Sequence, residues 1–188
     1  MSSDSTLFET ATLAGGCFWC TEAIFKRLKG VIRVTPGYTG GKFENPTYNQ
    51  VASQTTGHAE AIQIIFDPKV ISYEKLLEVF WHLHDPTTKN RQGADVGIAY
   101  RSAIFYHNVN QKQIAEASKK RLEKSNFYQS PVITEIVPFT KFYEAEESHQ
   151  NFYEKNSYSP YCQIVIDPKI RKLLTEFKSD IKEEFKQR

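Results

Sequence analysis

The stretch Gly15-Gly16-Cys17-Phe18-Trp19-Cys20 places two of the chain's three thiols between a predicted strand and a predicted helix. Residues 8–14 are predicted to form the strand, and residues 21–29 the helix, which ends at Gly30. Cys17 is therefore expected at a helix N-terminus, where unpaired backbone N–H groups and the helix dipole favour a thiolate. An aromatic pair follows it directly. The stretch indicates nucleophilic or redox chemistry at sulfur.

The same pattern has other interpretations. A buried cysteine is often only a small apolar residue, and Cys-x-x-Cys also occurs in zinc sites and in thioredoxin-like dithiols. A general dithiol oxidoreductase would need a cis-proline loop, for which the chain offers no good candidate. A metal-binding module would need more ligands, and the candidates are Cys17, Cys20, His82 and His84. We expect no metal, because no complete ligand set is evident.

Size and composition favour one globular domain. The chain has 188 residues, and its 13 Phe, 10 Tyr and 2 Trp argue against disorder. A net charge of +2, from 24 basic and 22 acidic residues, gives no nucleic-acid-binding footprint. Residues 1–6 lack the basic and apolar regions of a secretory signal, and no segment has the length of a membrane span. Together with an odd number of cysteines, this favours the cytoplasm.

Helices and strands alternate over residues 8–138, which predicts a layered α/β domain. One strand is expected to end at Pro36-Gly37, and the turn-rich residues 38–48 follow it as a functional loop. The predicted strands are residues 31–35, 60–66, 102–106 and 132–137, and the predicted helices are one capped by Ser72 that reaches Leu83, one over about 110–124, and a solvated one over about 168–186.

Several side chains could support a reactive thiol. Glu60 opens a mostly apolar strand, where burial would raise the pKa of its carboxyl and make it a general acid near neutrality. Tyr48 and Tyr100 offer hydroxyls that can bind a polar oxygen. Cys162 is expected in a loop, from which its thiol could close a disulfide with an oxidised Cys17. Each residue also has an ordinary structural interpretation when it is taken alone.

Eight short segments, in order along the chain, resemble peptide methionine sulfoxide reductases of the A type (MsrA). The resemblance runs from about residue 10 to about residue 168. It implies an α+β fold: a two-layer sandwich with a ferredoxin-like plait core, a mixed sheet and long coil segments. We therefore expect residues 1–188 to form one catalytic domain. The segments are Gly16–Trp19, Gly37–Gly41, Asn45–Tyr48, Thr56–Glu60, Phe66–Pro68, Asp85–Thr87, Asp95–Ser102 and Glu147–Gln150.

The resemblance implies a reaction and the residues that perform it. Cys17 would attack the sulfur of methionine S-sulfoxide, and Glu60 would protonate the sulfoxide oxygen, which is a poor leaving group until it is protonated. Tyr48 and Tyr100 would hydrogen-bond that oxygen. The products would be methionine and a sulfenic acid at Cys17, as in the repair of oxidised proteins.

Three further residues would bind the substrate. By the same resemblance, Phe18 and Trp19 would form the apolar wall that holds the S-methyl group. Asp95, which from the sequence alone is an ordinary turn residue, would contact the methionine backbone. The substrate would be methionine sulfoxide, either free or within a protein.

A second thiol would then condense with the sulfenic acid. Cys162 is the preferred resolving residue, although the C-terminal coil must fold back over the site to bring it there. Cys20 is the alternative, because Cys-x-x-Cys at a helix start satisfies the disulfide distance locally. Many family members have no cysteine at the position of Cys20. The resemblance further implies reduction of the disulfide by thioredoxin or another dithiol, without a bound cofactor, and we expect a monomer.

Overall fold

The computed structural model describes residues 7–186, which build a six-stranded mixed sheet with helices packed against it. The strand order is β7-β6-β1-β3-β2-β8, and β6 and β7 are parallel while the other neighbouring pairs are antiparallel. A separate two-stranded hairpin is formed by β4 and β5. The strands are β1 (Glu9–Gly15), β2 (Val31–Thr39), β3 (Ala59–Phe66), β4 (Arg91–Gln92), β5 (Asp95–Val96), β6 (Ser102–Tyr106), β7 (Glu135–Pro138) and β8 (Phe142–Glu144).

Six α-helices accompany the strands in the described part of the chain. Ser72 caps α3 by accepting the backbone N–H of Lys75 at 3.1 Å, as the sequence predicts. In residues 7–186 no helix is both long and apolar enough to cross a bilayer. The helices are α1 (Phe18–Phe25), α2 (Tyr48–Ala52), α3 (Tyr73–Leu83), α4 (Val109–Lys124), α5 (Phe152–Asn156) and α6 (Asp167–Glu176), with a π-helical turn at Cys162–Ile166 and 3-10 turns at Ile98–Tyr100, Glu147–His149, Lys178–Asp180 and Glu183–Phe185.

The two faces of the sheet have different side chains, because successive residues of a strand point to opposite sides. One face presents large aliphatic residues, such as Leu13 and Ile62, to the main core, which also contains residues of α1 and α3. The other face presents mainly alanines, such as Ala14 and Ala103, and packs with Phe142 in a smaller cluster. The mixed sheet and the helices packed against it confirm the expectation of an α+β fold with a mixed sheet.

The expected strand end at Pro36-Gly37 is wrong, since β2 continues to Thr39. The Pro36 carbonyl accepts the N–H of Ala145 at 2.9 Å, so it points toward β8. The nitrogen and carbonyl of one strand residue point to the same side, so the missing N–H of Pro36 costs no hydrogen bond to β3. Gly37 is required there because a Cβ would lie 2.4 Å from the Tyr143 carbonyl oxygen.

Three helical segments also differ from the sequence prediction. The first helix spans Phe18–Phe25, so it begins directly after Cys17 rather than at Thr21 and ends before Gly30. Cys162 begins the π-helical turn instead of lying in a loop, and this turn continues into α6. The last helix ends at Glu176 and is not merely solvated, since Leu173 on its inner face is fully buried. These errors fall where tertiary contacts, rather than local propensity, decide the conformation.

Candidate active site

Cys17 is the N-cap residue of α1, as the sequence predicts. The chain enters it through Gly16, which has a φ of +92°. A Cβ at Gly16 would lie 2.5 Å from the Gln92 side chain, so both the backbone conformation and the close approach require glycine. The Cys17 side chain is almost completely buried. Its thiol is thus placed at a helix N-terminus, but away from bulk water.

The ionisation expected at Cys17 is not what the structure gives. Burial raises the pKa of Cys17 well above its ordinary value, and the neighbouring Cys20 and Glu60 raise it further. By contrast, the pKa of Cys20 is lowered to about 7, because the hydrogen bond with Cys17 and the charge of Lys169 outweigh the effect of its burial. The helix N-terminus therefore does not by itself ionise Cys17.

Glu60 lies at the start of β3, opposite Tyr38 of β2, and is buried. Its Oε2 atom accepts the backbone N–H of Phe18 at 3.0 Å. Burial raises the pKa of Glu60 to about 8, although the hydrogen bond from Phe18 opposes the shift. Most Glu60 side chains are therefore protonated at neutral pH. A proton donor lies next to the first turn of the helix that Cys17 caps.

The structure brings Tyr48, Tyr100 and Asp95 to the same region. Tyr48 is the first residue of α2, Tyr100 ends a 3-10 turn and Asp95 begins β5. Burial raises the pKa of both tyrosines, and the charges of Glu60, Asp95 and Cys17 raise it further. Both hydroxyls therefore remain protonated and can donate a hydrogen bond. The two tyrosine hydroxyls therefore lie close enough to Glu60, Asp95 and Cys17 to feel their charges.

Phe18 and Trp19 have different surroundings. Phe18 is fully buried, with its ring 5.7 Å from that of Tyr38. Trp19 is only partly buried, and its indole stacks on Phe152 with ring centroids 3.7 Å apart. The indole Nε1–H donates to Nδ1 of His149 at 3.1 Å. Sequence reasoning assigned no role to His149 or Phe152, although His149 belongs to one of the segments that carry the family resemblance.

Tyr161 is a third residue of the site that sequence reasoning missed. Its hydroxyl donates to Oδ2 of Asp95 at 3.0 Å and lies 3.8 Å from Sγ of Cys20. Its ring meets the Trp19 indole edge to face, with centroids 5.5 Å apart. The available signal was its position directly before Cys162. The C-terminal segment thus covers the site, as the resolving role of Cys162 requires.

The three cysteines lie in one apolar cluster and are all free thiols. Cys162 is fully buried there, although 142 positions of sequence separate it from Cys20. Ile166 and Ile170, from the π-helical turn and α6, complete the cluster with Ala23 of α1. Cys20 lies within hydrogen-bonding reach of Cys17, and Cys162 belongs to the same cluster.

The histidines proposed as alternative metal ligands have other partners. His82 Nδ1 lies 3.1 Å from a carboxylate oxygen of Glu176. His84 is buried, and its Nε2 lies 2.7 Å from the hydroxyl of Ser102. In the described part of the chain, no three His, Cys, Asp or Glu side chains are grouped so as to hold a metal ion.

Known proteins resemble the chain over most of its length. The sequence profile of the family described as peptide methionine sulfoxide reductase matches residues 9–182. The peptide methionine sulfoxide reductase MsrA of Sulfolobus acidocaldarius is 58% identical over 169 residues, covering 90% of this chain and 95% of that protein. Mxr1 of Saccharomyces cerevisiae in its reduced form superposes with a TM-score of 0.77 at 32% identity, covering 86% of this chain and 92% of Mxr1. A complex of Mxr1 with Trx2 contains a chain with a TM-score of 0.54 at 24% identity, with coverage of 81% and 89%. The chain belongs to the peptide methionine sulfoxide reductase family.

Proposed function

We propose that this chain reduces methionine S-sulfoxide, free or in proteins, to methionine, with Cys17 as the nucleophile and Glu60 as the acid. The hydrogen bond between Phe18 N–H and Glu60 carries the proposal, because it holds a protonated carboxyl beside the helix start that Cys17 caps. The Cys17 sulfur loses its proton and forms a bond to the sulfoxide sulfur, while Glu60 protonates the sulfoxide oxygen. The sulfur–oxygen bond of the substrate then breaks, and that oxygen leaves as water with the two protons. A water molecule adds to the Cys17 sulfur as the bond between the two sulfurs breaks, and it returns one proton to Glu60. One thiol and one sulfoxide thus give one sulfenic acid and one methionine. Sulfur is oxidised at Cys17 and reduced in the substrate.

Binding of the substrate is assigned to five side chains. Tyr48 and Tyr100 hydrogen-bond the sulfoxide oxygen, and their protonated hydroxyls support this role. Trp19 and Phe18 form the apolar wall for the S-methyl group. Asp95 contacts the substrate main chain, and its carboxylate already accepts a hydroxyl hydrogen from the C-terminal segment. A substrate donor would replace that hydroxyl.

Resolution of the sulfenic acid is assigned to Cys162, with Cys20 as the alternative. The second thiol attacks the sulfenic sulfur, a disulfide forms and water leaves. Burial of all three thiols in one cluster supports either residue, and the lowered pKa of Cys20 favours its thiolate. A dithiol protein such as thioredoxin then reduces the disulfide, so the chain needs no bound cofactor. The complex between Mxr1 and Trx2 supports this partner.

We propose the finer organisation of the chain on the same basis. The order β6-β1-β3-β2, with antiparallel neighbours and with α1 and α3 as connections, supports a ferredoxin-like plait in a two-layer sandwich. Residues 1–188 form a single catalytic domain, with its core at about 10–168. We further propose a monomer. We assign it to the cytoplasm, acting on neither nucleic acid nor membrane.

A single turnover tests the proposed function. Fully reduced protein is mixed with each epimer of N-acetyl-methionine sulfoxide, without a recycling reductant, and both methionine product and remaining thiols are quantified. We expect about one product per chain from the S epimer alone, with the loss of two thiols. The absence of product from both epimers would contradict the proposal and favour a general dithiol oxidoreductase.

A further inference from the structure

Glu146 holds two tyrosines of the site region at once. It directly precedes the 3-10 turn Glu147–His149, and its Oε1 atom accepts the hydroxyl of Tyr38 at 3.0 Å. Its Oε2 atom accepts the backbone N–H of Tyr48, also at 3.0 Å. The Glu146 side chain is exposed to solvent, and it is held by hydrogen bonds rather than by packing. Burial alone would raise the pKa of Glu146, but the hydrogen bonds from Tyr48, from its own backbone N–H and from Tyr38, together with the charge of His149, outweigh burial and lower the pKa.

Tyr38 lies in β2 and Tyr48 in α2, and the proposed reaction depends on the relative position of these two elements. Tyr38 is fully buried in β2 and pairs across the sheet with Glu60. Tyr48 begins α2, a helix of only five residues. The Tyr48 ring also contacts the ring of His149, with centroids 4.3 Å apart, in the turn that follows Glu146. A short helix has little rigidity of its own, so these external contacts decide where the Tyr48 phenol lies.

We propose that Glu146 is a positioning residue for Tyr48. By joining the backbone of α2 to the strand beside Glu60, its carboxylate places the Tyr48 hydroxyl where it meets the sulfoxide oxygen. The inference rests on the proposed function, because it takes Tyr48 to bind that oxygen. The proposed mechanism assigns Glu146 no other role.

Conservative and non-conservative variants separate positioning from a general loss of structure. The rate constant of a single turnover is measured at saturating S epimer. Glu146→Ala removes both hydrogen bonds and should lower the rate constant about tenfold, because α2 and the Tyr48 phenol are then no longer aligned. Glu146→Gln should stay within about threefold, because the amide oxygen still accepts from Tyr48 and the amide nitrogen can donate to the Tyr38 oxygen. Glu147→Gln, the matched change at a side chain that is 90% exposed, should leave the rate unchanged.

A double-mutant cycle with Tyr48→Phe supplies the decisive readout. If Glu146 acts through the Tyr48 hydroxyl, Glu146→Ala should lower the rate by less than about twofold once that hydroxyl is gone. An equal loss with and without the hydroxyl would overturn the inference, as would an unchanged rate in Glu146→Ala. Should the alanine variant not fold, Glu146→Asp keeps the charge but is too short for both donors, and the same cycle applies.

Failure of the proposed function is distinguishable from failure of the inference. If the unmodified protein and Glu147→Gln both form no methionine, the proposed function is wrong and the inference fails with it. If both form methionine while the effect of Glu146→Ala is independent of Tyr48, only the inference is overturned.

Discussion

The backbone N–H of Phe18 donates a 3.0 Å hydrogen bond to Oε2 of Glu60, across 42 residues of sequence. This N–H belongs to the first turn of α1, where helix donors lack partners within the helix. Glu60 accepts this N–H and is thereby bonded to the residue that directly follows Cys17. The same bond opposes the effect of burial on the carboxyl, and the resulting pKa of about 8 keeps the proton on Glu60 at neutral pH. A single contact between β3 and α1 thus places the proton donor Glu60 next to the nucleophile Cys17.

Cys17→Ser should abolish methionine formation. A serine hydroxyl is not ionised near neutrality and is a far weaker nucleophile than a thiol. Product is measured by chromatography after a single turnover. Cys162→Ser is the matched control and should still give about one methionine per chain. Methionine from the Cys17 variant would contradict the assignment of the nucleophile.

Glu60→Gln should lower the rate constant of the chemical step by at least about 100-fold, because the amide cannot supply the proton to the sulfoxide oxygen. The amide oxygen can still accept from Phe18, so the helix start should be preserved. Single-turnover rates at pH 7 check this, and circular dichroism checks the fold. A rate close to that of the unmodified protein would assign the proton to another donor.

Trp19→Ala should raise KM by roughly 10- to 100-fold, equivalent to about 1–3 kcal/mol of lost apolar contact with the methyl group. The maximal single-turnover rate should change much less. Trp81→Phe provides the control, because that indole is buried elsewhere and donates to Ser118. If Trp19→Ala leaves KM unchanged, the indole has only a structural role against Phe152.

Cys162→Ser should preserve the first turnover but weaken cycling driven by thioredoxin. The remaining thiols are counted after one turnover, with Cys20→Ser measured in parallel. If Cys162 resolves the sulfenic acid, only the Cys162 variant retains a sulfenic acid that a specific trapping reagent detects. Full cycling without Cys162 would transfer the resolving role to Cys20.

Glu22→Gln should alter the dependence of folding stability on pH. Burial raises the pKa of Glu22 from 4.5 to about 7, despite hydrogen bonds from the backbone of Asn151 and Phe152. Because the folded state binds the proton more tightly, Glu22 contributes stability that is fully present below pH 4.5 and is lost as pH rises through 7. Removing the carboxyl should make the free energy of unfolding less dependent on pH over this range, by on the order of 1–3 kcal/mol.

Urea unfolding at several pH values tests that stability prediction. Glu60→Gln should also make the free energy of unfolding less dependent on pH. The affected range should extend to higher pH, because the pKa of Glu60 is about 8. A difference between the unmodified protein and Glu22→Gln that does not vary with pH would mean that Glu22 is ionised equally in both states.

Local signals were sufficient to predict much of the fold. A mostly apolar run after Glu60 identified β3, and the 3.6-residue period after Ser72 identified α3. Two glycines before Cys17 predicted the tight turn into α1. These features depend on neighbouring residues, which a single sequence displays directly.

Features that depend on tertiary contacts escaped prediction. Pro36-Gly37 has the composition of a turn, but the Pro36 nitrogen faces the β8 side, so the pairing of β2 with β3 continues through it. The contact between Tyr161 and Asp95 joins residues 66 positions apart, and no local pattern indicates it. The raised pKa of Cys17 results from burial by segments distant in sequence, whereas the helix dipole that favoured a thiolate is a local property.

Burial of the thiols has a consequence for how the protein itself becomes oxidised. Cys17, Cys20 and Cys162 are exposed by only 8%, 1% and 0%. Peroxides in bulk solution therefore encounter poorly accessible sulfur atoms, and Cys17 is held mainly as the less reactive thiol. An oxygen atom reaches this sulfur most readily from a molecule that fits the site. The chain is thus shielded from the oxidants whose damage it reverses.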